Sequence, residues 1–180
     1  MRATPGLGVL AAGLLAATGA YAQTPPPDPP PADPLPPASL EPRDVLAWSD
    51  KHLDVASWRV LAINPHGLFL ASPKGVTLRQ DQMAEVELRH ELFAPVDVGG
   101  GQMRSDLERW VVDCKHKRHA LLKMTLFARN NLKEELAHRE TETVNWREAA
   151  PGDEATQAIA AVCEAVAAGQ RGEKAPPTSP

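Results

Sequence analysis

The sequence predicts an α+β domain: an antiparallel sheet of about six strands with one C-terminal helix packed on it. Three observations carry this. From Ser57 onward, apolar and polar residues alternate in short runs separated by turn-forming residues. At Pro151-Gly152 the alternation gives way to a single stretch with apolar residues at helical spacing. No internal repeat of about 20–50 residues interrupts this order, so a run of strands followed by a helix reads as one layered domain.

The first 22 residues read as an export signal. Arg2 supplies a positive start, Leu7 to Ala17 is apolar, and Ala20-Tyr21-Ala22 offers the small residues that a signal peptidase needs. The apolar run is shorter than the roughly 20 residues that span a bilayer, so no membrane span is expected. The protein is expected to be exported, to the periplasm or beyond it. Residues 23–42 form a Pro-rich linker. Thr24 to Pro37 holds nine prolines, which lack the N–H that helices and ladders require, so an extended spacer is expected.

The folded domain is expected over residues 43–169. In "RDVLAWSDKHL" a short helix with Val45, Leu46 and Trp48 partly buried is one reading. "SWRVLAIN" is strand-like, and Asn64-Pro65-His66-Gly67 is a turn signal. "LFLAS" and "VTLRQ" read as two further strands, with Pro73-Lys74-Gly75 turning between them. The clearest alternation is in "AEVELRHEL". Ala84, Val86, Leu88, His90 and Leu92 fall on one face, and Glu85, Glu87, Arg89 and Glu91 on the other, as in a strand with one buried and one solvated side.

Pro95 to Met103, with Gly99-Gly100-Gly101, reads as a flexible loop. "DLERWVVDC" is the next strand, with Trp110, Val112 and Cys114 on one side. Lys115 to Arg118 turns the chain, "HALLKMTLFA" returns it, and Arg129-Asn130-Asn131 suits a tight turn because Asn tolerates left-handed backbone. "KEELAHRETETVNWRE" supplies one or two more polar strands. Asp153 is placed to cap a helix in which Ala155, Ile159, Val162, Cys163 and Val166 form one apolar stripe, with Gly169 as a stop. Residues 170–180 are polar and Pro-containing and are expected to be a disordered tail.

Charge and composition exclude several function classes. A net charge of −4 gives no general attraction to nucleic acid or anionic lipid. Beyond residue 22 there are seven aromatic residues and no tyrosine, so base-stacking platforms are not evident. There is no G-x-S-x-G, phosphate-binding loop or dinucleotide fingerprint, and nothing calls for a cofactor.

The candidate chemistry lies in "WVVDCKHKRHALL". Cys114 and Cys163 are the two cysteines. Both sit on faces that must be buried, and burying those faces together brings the thiols together, so a disulfide is the leading reading for an exported chain. Two others stay open. Cys114, His116 and His119 are zinc-type ligands, although no C-x-x-C accompanies them. A reactive thiol at Cys114 would be helped by the charges of Lys115, Lys117 and Arg118. The same basic turn offers a weak contact for an anionic partner through Lys115, Lys117 and Arg118. Glu85, Glu87 and Glu91 look like paired carboxylates but read more simply as a solvated strand face. Asp113 reads as a partner for a neighbouring strand or cation, and His90 as a satisfied core histidine. No catalytic or metal-binding residue is assigned.

Several features together resemble the surface-adhesin protein E family of proteobacteria: the Trp58 strand, "GLFLASPKGVTLRQDQMAEVELR", "VVDCKHKRHALL", and "VNWREAAPGDEATQAIAAVC" with Trp146 before Pro151-Gly152. The resemblance spans Ser57 to Cys163. It implies a six-stranded antiparallel sheet, a packed helix, and a disulfide joining Cys114 to Cys163. By resemblance alone, a protein partner is expected, in the envelope or the host extracellular matrix. The chain departs from the family in having no cysteine to carry a lipid after its apolar segment, and in its long proline spacer. The expected function is therefore a non-enzymatic, exported protein-binding or envelope accessory domain. The alternative is a periplasmic small-molecule or metal-binding domain using His90, His116 and His119.

Overall fold

A computed structural model describes residues 32–79, 81, 83–141 and 143–170. The expected signal segment, residues 23–31 of the linker, and the tail beyond Gln170 lie outside the described residues. The elements run α1 (Pro42–His52), β1 (Arg59–Asn64), β2 (Gly67–Ala71), β3 (Thr77–Leu78), β4 (Ala84–Asp97), β5 (Gln102–Asp113), β6 (Arg118–Arg129), β7 (Lys133–Glu140), β8 (Arg147–Glu148) and α2 (Glu154–Gln170). Six strands form one antiparallel sheet in the order β1-β2-β4-β5-β6-β7, with the two-residue strands β3 and β8 alongside β4 and β6. This is the expected α+β arrangement. No helix among the described residues is long and apolar enough to cross a membrane.

A helix covers each face of the sheet. Under α2 lie Ala62, Phe69, Val86, Leu88, Trp110 and Val112, packed against Ala155, Ala158, Ile159 and Val162 of the helix. Under α1 lie Leu68, Leu70 and Phe93, packed against Val45, Trp48, Leu53 and Val55. Strand β2 shows the consequence in sequence. Its "GLFL" run is buried throughout and does not alternate, because both of its faces are covered.

Four expectations are corrected. Leu46 is exposed; α1 buries Val45, Trp48 and Ser49 instead. Of "VTLRQ", only Thr77 and Leu78 are strand among the described residues, and both are exposed. Residues 95–103 are mostly a paired arm rather than a loop, since Val96 faces Met103 and Asp97 faces Gln102, with a turn closed from the Val98 amide to the Gly101 carbonyl. Helix α2 continues through Gly169 to Gln170.

The turns formed where turn residues stand. Asn64 Oδ1 accepts from the amides of His66 and Gly67 in the β1–β2 turn. Gly67 must be glycine for a separate reason: a β-carbon there would lie 2.2 Å from the Glu91 carbonyl oxygen of the facing strand. Asn131 takes left-handed backbone (φ 65°) in the β6–β7 turn. Asp153 caps α2, with its Oδ1 3.4 Å from the Ala155 amide.

Candidate functional site

Both cysteines meet. Cys114 follows the end of β5 and Cys163 sits midway along α2, and they form a disulfide with a Cα–Cα distance of 5.5 Å. The two apolar faces named from sequence are the ones the bond joins. With both sulfurs bonded, neither is a thiolate ligand or nucleophile in this state, and there is no free cysteine.

The basic turn divides into two kinds of residue. Lys115, His116 and Lys117 are exposed. Arg118 is half-buried, donates from Nε to Asp113 at 2.9 Å, and lies over the Trp146 ring at 4.6 Å. His116 Nδ1 is 2.7 Å from the same carboxylate oxygen, Asp113 Oδ2. Burial pushes the Asp113 carboxyl up, but the hydrogen bonds from His116 and Arg118 outweigh it, and its pKa falls below the ordinary value. Asp113 is thus a buried brace for the turn, which leaves Lys115 and Lys117 as the unpaired cations at its tip among the described residues.

The three histidines of the metal reading are not gathered into one site. His116 is held by Asp113, and His119 is stacked on Trp110 at 4.1 Å between centroids. Burial lowers the His119 pKa, and the charge of Arg147 adds to this. His90 stands elsewhere, stacked on Phe69 at 4.2 Å. Its Nδ1 is 2.8 Å from Asp106 and its Nε2 3.2 Å from Glu154 at the start of α2. Asn64 donates to the same Glu154 carboxylate. Burial opposes charge on the ring, but the hydrogen bonds to Asp106 and Glu154 prevail, and the His90 pKa rises to about 10. Hydrogen bonding to His90 in turn holds Glu154 below the ordinary carboxyl value, against the effect of burial.

Ligand atoms of His90, Asp106 and Glu108 all lie within 4.8 Å of one another, a spacing compatible with a cation. Both ring nitrogens already face carboxylates, Asp106 and Glu154, so a cation would have to displace a proton and a hydrogen bond to reach a His90 nitrogen. Glu108 accepts from the Trp110 indole at 2.5 Å, and burial, with Asp106 adding, raises its pKa. The cluster ties β4, β5 and α2 together. Of its members, the sequence singled out His90 as a satisfied core residue. Asp106 and Glu108 are recognisable only once β4 and β5 are in register, with His90 opposite Asp106 and Leu88 opposite Glu108.

A second polar cluster, on the α1 face, reverses an expectation. Arg89 and Glu91 are buried rather than solvated, with Glu91 fully so. Glu91 accepts from Arg89 Nε at 2.7 Å, from Asn130 Nδ2 at 2.8 Å and from the Asn131 amide at 3.0 Å. Burial pushes its pKa up and Arg89 opposes this. Arg89 also donates to the Asp54 carbonyl, and Asn131 Nδ2 to the His52 carbonyl, so this cluster satisfies backbone groups left open at the end of α1 and just beyond it. The reversal follows from α1: where a helix covers the second face of the sheet, alternation no longer means solvent. The unbroken apolar run of neighbouring β2 was the available signal.

A profile of the surface-adhesin protein E family matches residues 61–164, more than half of the chain. The chain belongs to the surface-adhesin protein E family. No curated protein matches it. Among solved structures, Haemophilus influenzae protein E aligns with 9% identity and a TM-score of 0.44, covering 61% of this chain and 85% of that one. A second crystal form aligns with 8% identity and a TM-score of 0.46, covering 62% and 91%. Protein E from non-typeable Haemophilus influenzae gives 8%, 0.45, and coverages of 66% and 81%. The profile match takes in β2 to β8, the disulfide and the His90 cluster, and it places the chain in an exported bacterial family of surface-adhesin type.

Proposed function

We propose that this surface-adhesin protein E-like chain is an exported, non-enzymatic domain that acts by binding protein, in the envelope or in the host extracellular matrix. The family match over residues 61–164 carries this reading. The site chemistry supports it. The sulfurs are joined, and both His90 nitrogens are engaged by carboxylates. Residues 1–22 would direct export, 23–42 would serve as the Pro-rich linker, and 43–169 would form the binding domain. The contact we assign is the β5–β6 turn, where Lys115 and Lys117 extend into solvent and Arg118 is braced against Asp113 and Trp146. Such a turn suits an acidic patch on the partner.

The test is capture of partners from envelope and matrix extracts by the wild-type protein and by Lys115→Glu/Lys117→Glu. The charge-reversed protein should keep its melting temperature and lose most of the captured protein. Equal capture by both would remove the turn from the interface.

A second reading, a divalent-cation-binding domain, draws on the spacing of His90, Asp106 and Glu108. Metal there must displace a proton from a ring whose pKa is about 10, which weakens binding near neutral pH. Elemental analysis of purified protein with and without chelator separates the two readings. One tightly held zinc or copper per chain would favour the second.

A further inference from the structure

The segment just ahead of α1 lies against the domain at the opposite end of the β5–β6 hairpin from the basic turn. Asp33 stands between two arginines. Its Oδ2 is 3.1 Å from Arg104 Nε and its Oδ1 3.3 Å from Arg129 Nη2. Both guanidinium side chains are largely buried, at 12% and 17% exposure. Two residues on, the Leu35 carbonyl accepts the Trp48 indole N–H at 2.6 Å. Polar groups thus make the directional contacts, while Pro34 and Pro37 are half-buried. The Leu35 side chain is 83% exposed and buries almost nothing.

Nor does the segment fill the space it occupies. A groove of about 450 Å³ runs along one side, between Pro36–Leu40 and Phe93–Val96 of β4. Another of about 550 Å³ runs along the other side, against Ala47, Trp48 and His52 of α1. Arg104 Nη1 is buried without a hydrogen-bond partner among the described residues. One arginine donor is thus left unused beside Asp33, and open grooves flank residues 35–40 further along the segment.

We propose that residues 32–38 are an exchangeable internal ligand, and that the surface they cover, formed by Arg104, Arg129 and Trp48, receives an extended segment of a partner protein bearing an acidic side chain. The partner's carboxylate would take the place of Asp33 between Arg104 and Arg129. A backbone carbonyl two residues further on would accept the Trp48 indole N–H. The chain's own "ADPLPP" shows the required chemistry: a carboxylate, then proline to keep the backbone extended, then a carbonyl that accepts the Trp48 indole N–H. Arginine suits this task because its planar fork holds a carboxylate with fixed geometry. Held in cis, residues 32–38 compete at a high effective concentration, so an outside segment enters only when it binds better or when these residues are drawn away. This site is separate from the basic turn and stands whether or not that turn binds a partner.

The test uses full-length protein and two six-residue peptides, Ala-Asp-Pro-Leu-Pro-Pro and its Asn analogue in place of Asp, followed by the Trp48 indole N–H resonance. Asp33→Asn should release the internal segment and shift that resonance. The Asp peptide should restore its position saturably, binding Asp33→Asn roughly tenfold or more tightly than wild type, where the internal competitor persists. The Asn peptide should bind weakly, and 0.5 M salt should weaken the Asp peptide, a control that needs no further variant. Adding Arg104→Met should abolish binding. No uptake of the Asp peptide by Asp33→Asn, or equal uptake of both peptides, overturns the proposal. So does a concentration-dependent dimer of the wild type that exchanges residues 32–38 between copies, because the occupant would then be a second copy of this chain.

Discussion

His90 and Asp106 face each other directly across β4 and β5, with Nδ1 2.8 Å from the carboxylate, and Glu154 of α2 closes on the opposite ring nitrogen at 3.2 Å. One protonated ring therefore links two strands to the helix that covers them. Its charged neighbours are Asp106 and Glu108 from β5 and Glu154 from α2, with His66 acting on Glu154.

This arrangement makes stability depend on pH in a defined sense. The His90 pKa is about 10 in the fold against 6.5 for an ordinary histidine. The contribution is complete below pH 6.5 and is lost as pH rises through about 10. Glu154 acts oppositely. Its pKa is lowered, so its contribution is present above 4.5 and is lost as pH falls through the lowered value. Urea melts at pH 6, 8 and 10 should show wild type losing on the order of 2–4 kcal/mol across that range relative to His90→Gln. Parallel curves for the two proteins would refute the assignment.

Glu91→Ala should destabilise the fold by about 3–5 kcal/mol, because it leaves the Arg89 guanidinium buried without its carboxylate. Glu85→Ala, on a more exposed part of the same strand, serves as the comparison and should cost less than about 1 kcal/mol. Chemical denaturation of both variants measures the difference. Similar losses would show that Glu91 is not the buried anchor described.

The disulfide closes a separation of 49 residues. Cys114→Ser should lower stability by about 2–5 kcal/mol, and Cys114→Ser/Cys163→Ser by a similar amount, since the bond is lost once. Non-reducing mass spectrometry of wild type should find one intramolecular bridge and no free thiol. An unchanged melting temperature in the single variant would contradict a stabilising cross-link.

Gly67→Ala should cost about 1–3 kcal/mol although it adds only a methyl group. The new carbon would meet the Glu91 backbone oxygen, which β2–β4 pairing holds in place. Gly75→Ala, with open space around its β-carbon position, isolates the strain of positive φ from this steric clash. If Gly75→Ala proves the more damaging, crowding at Gly67 is not the controlling effect.

Local pattern carried much of the fold. Alternation in "AEVELRHEL", the Asn and Gly turns, the Pro151-Gly152 break and the stripe through Ile159 and Val162 are each short-range signals, so strand order along the chain and the final helix could be read directly. The Cys114–Cys163 pairing was legible for a related reason: each cysteine lay on a face whose burial its own neighbours demanded. Tertiary structure decided which solvent-like faces were covered. Arg89 and Glu91 alternate as surface residues do, but α1 and the β6–β7 turn close over them. It also assembled His90 with Asp106 and Glu154, and Asp33 with Arg104 and Arg129. Such pairs depend on strand register and on how separate elements pack, and neither is set by interactions between residues near one another in the chain.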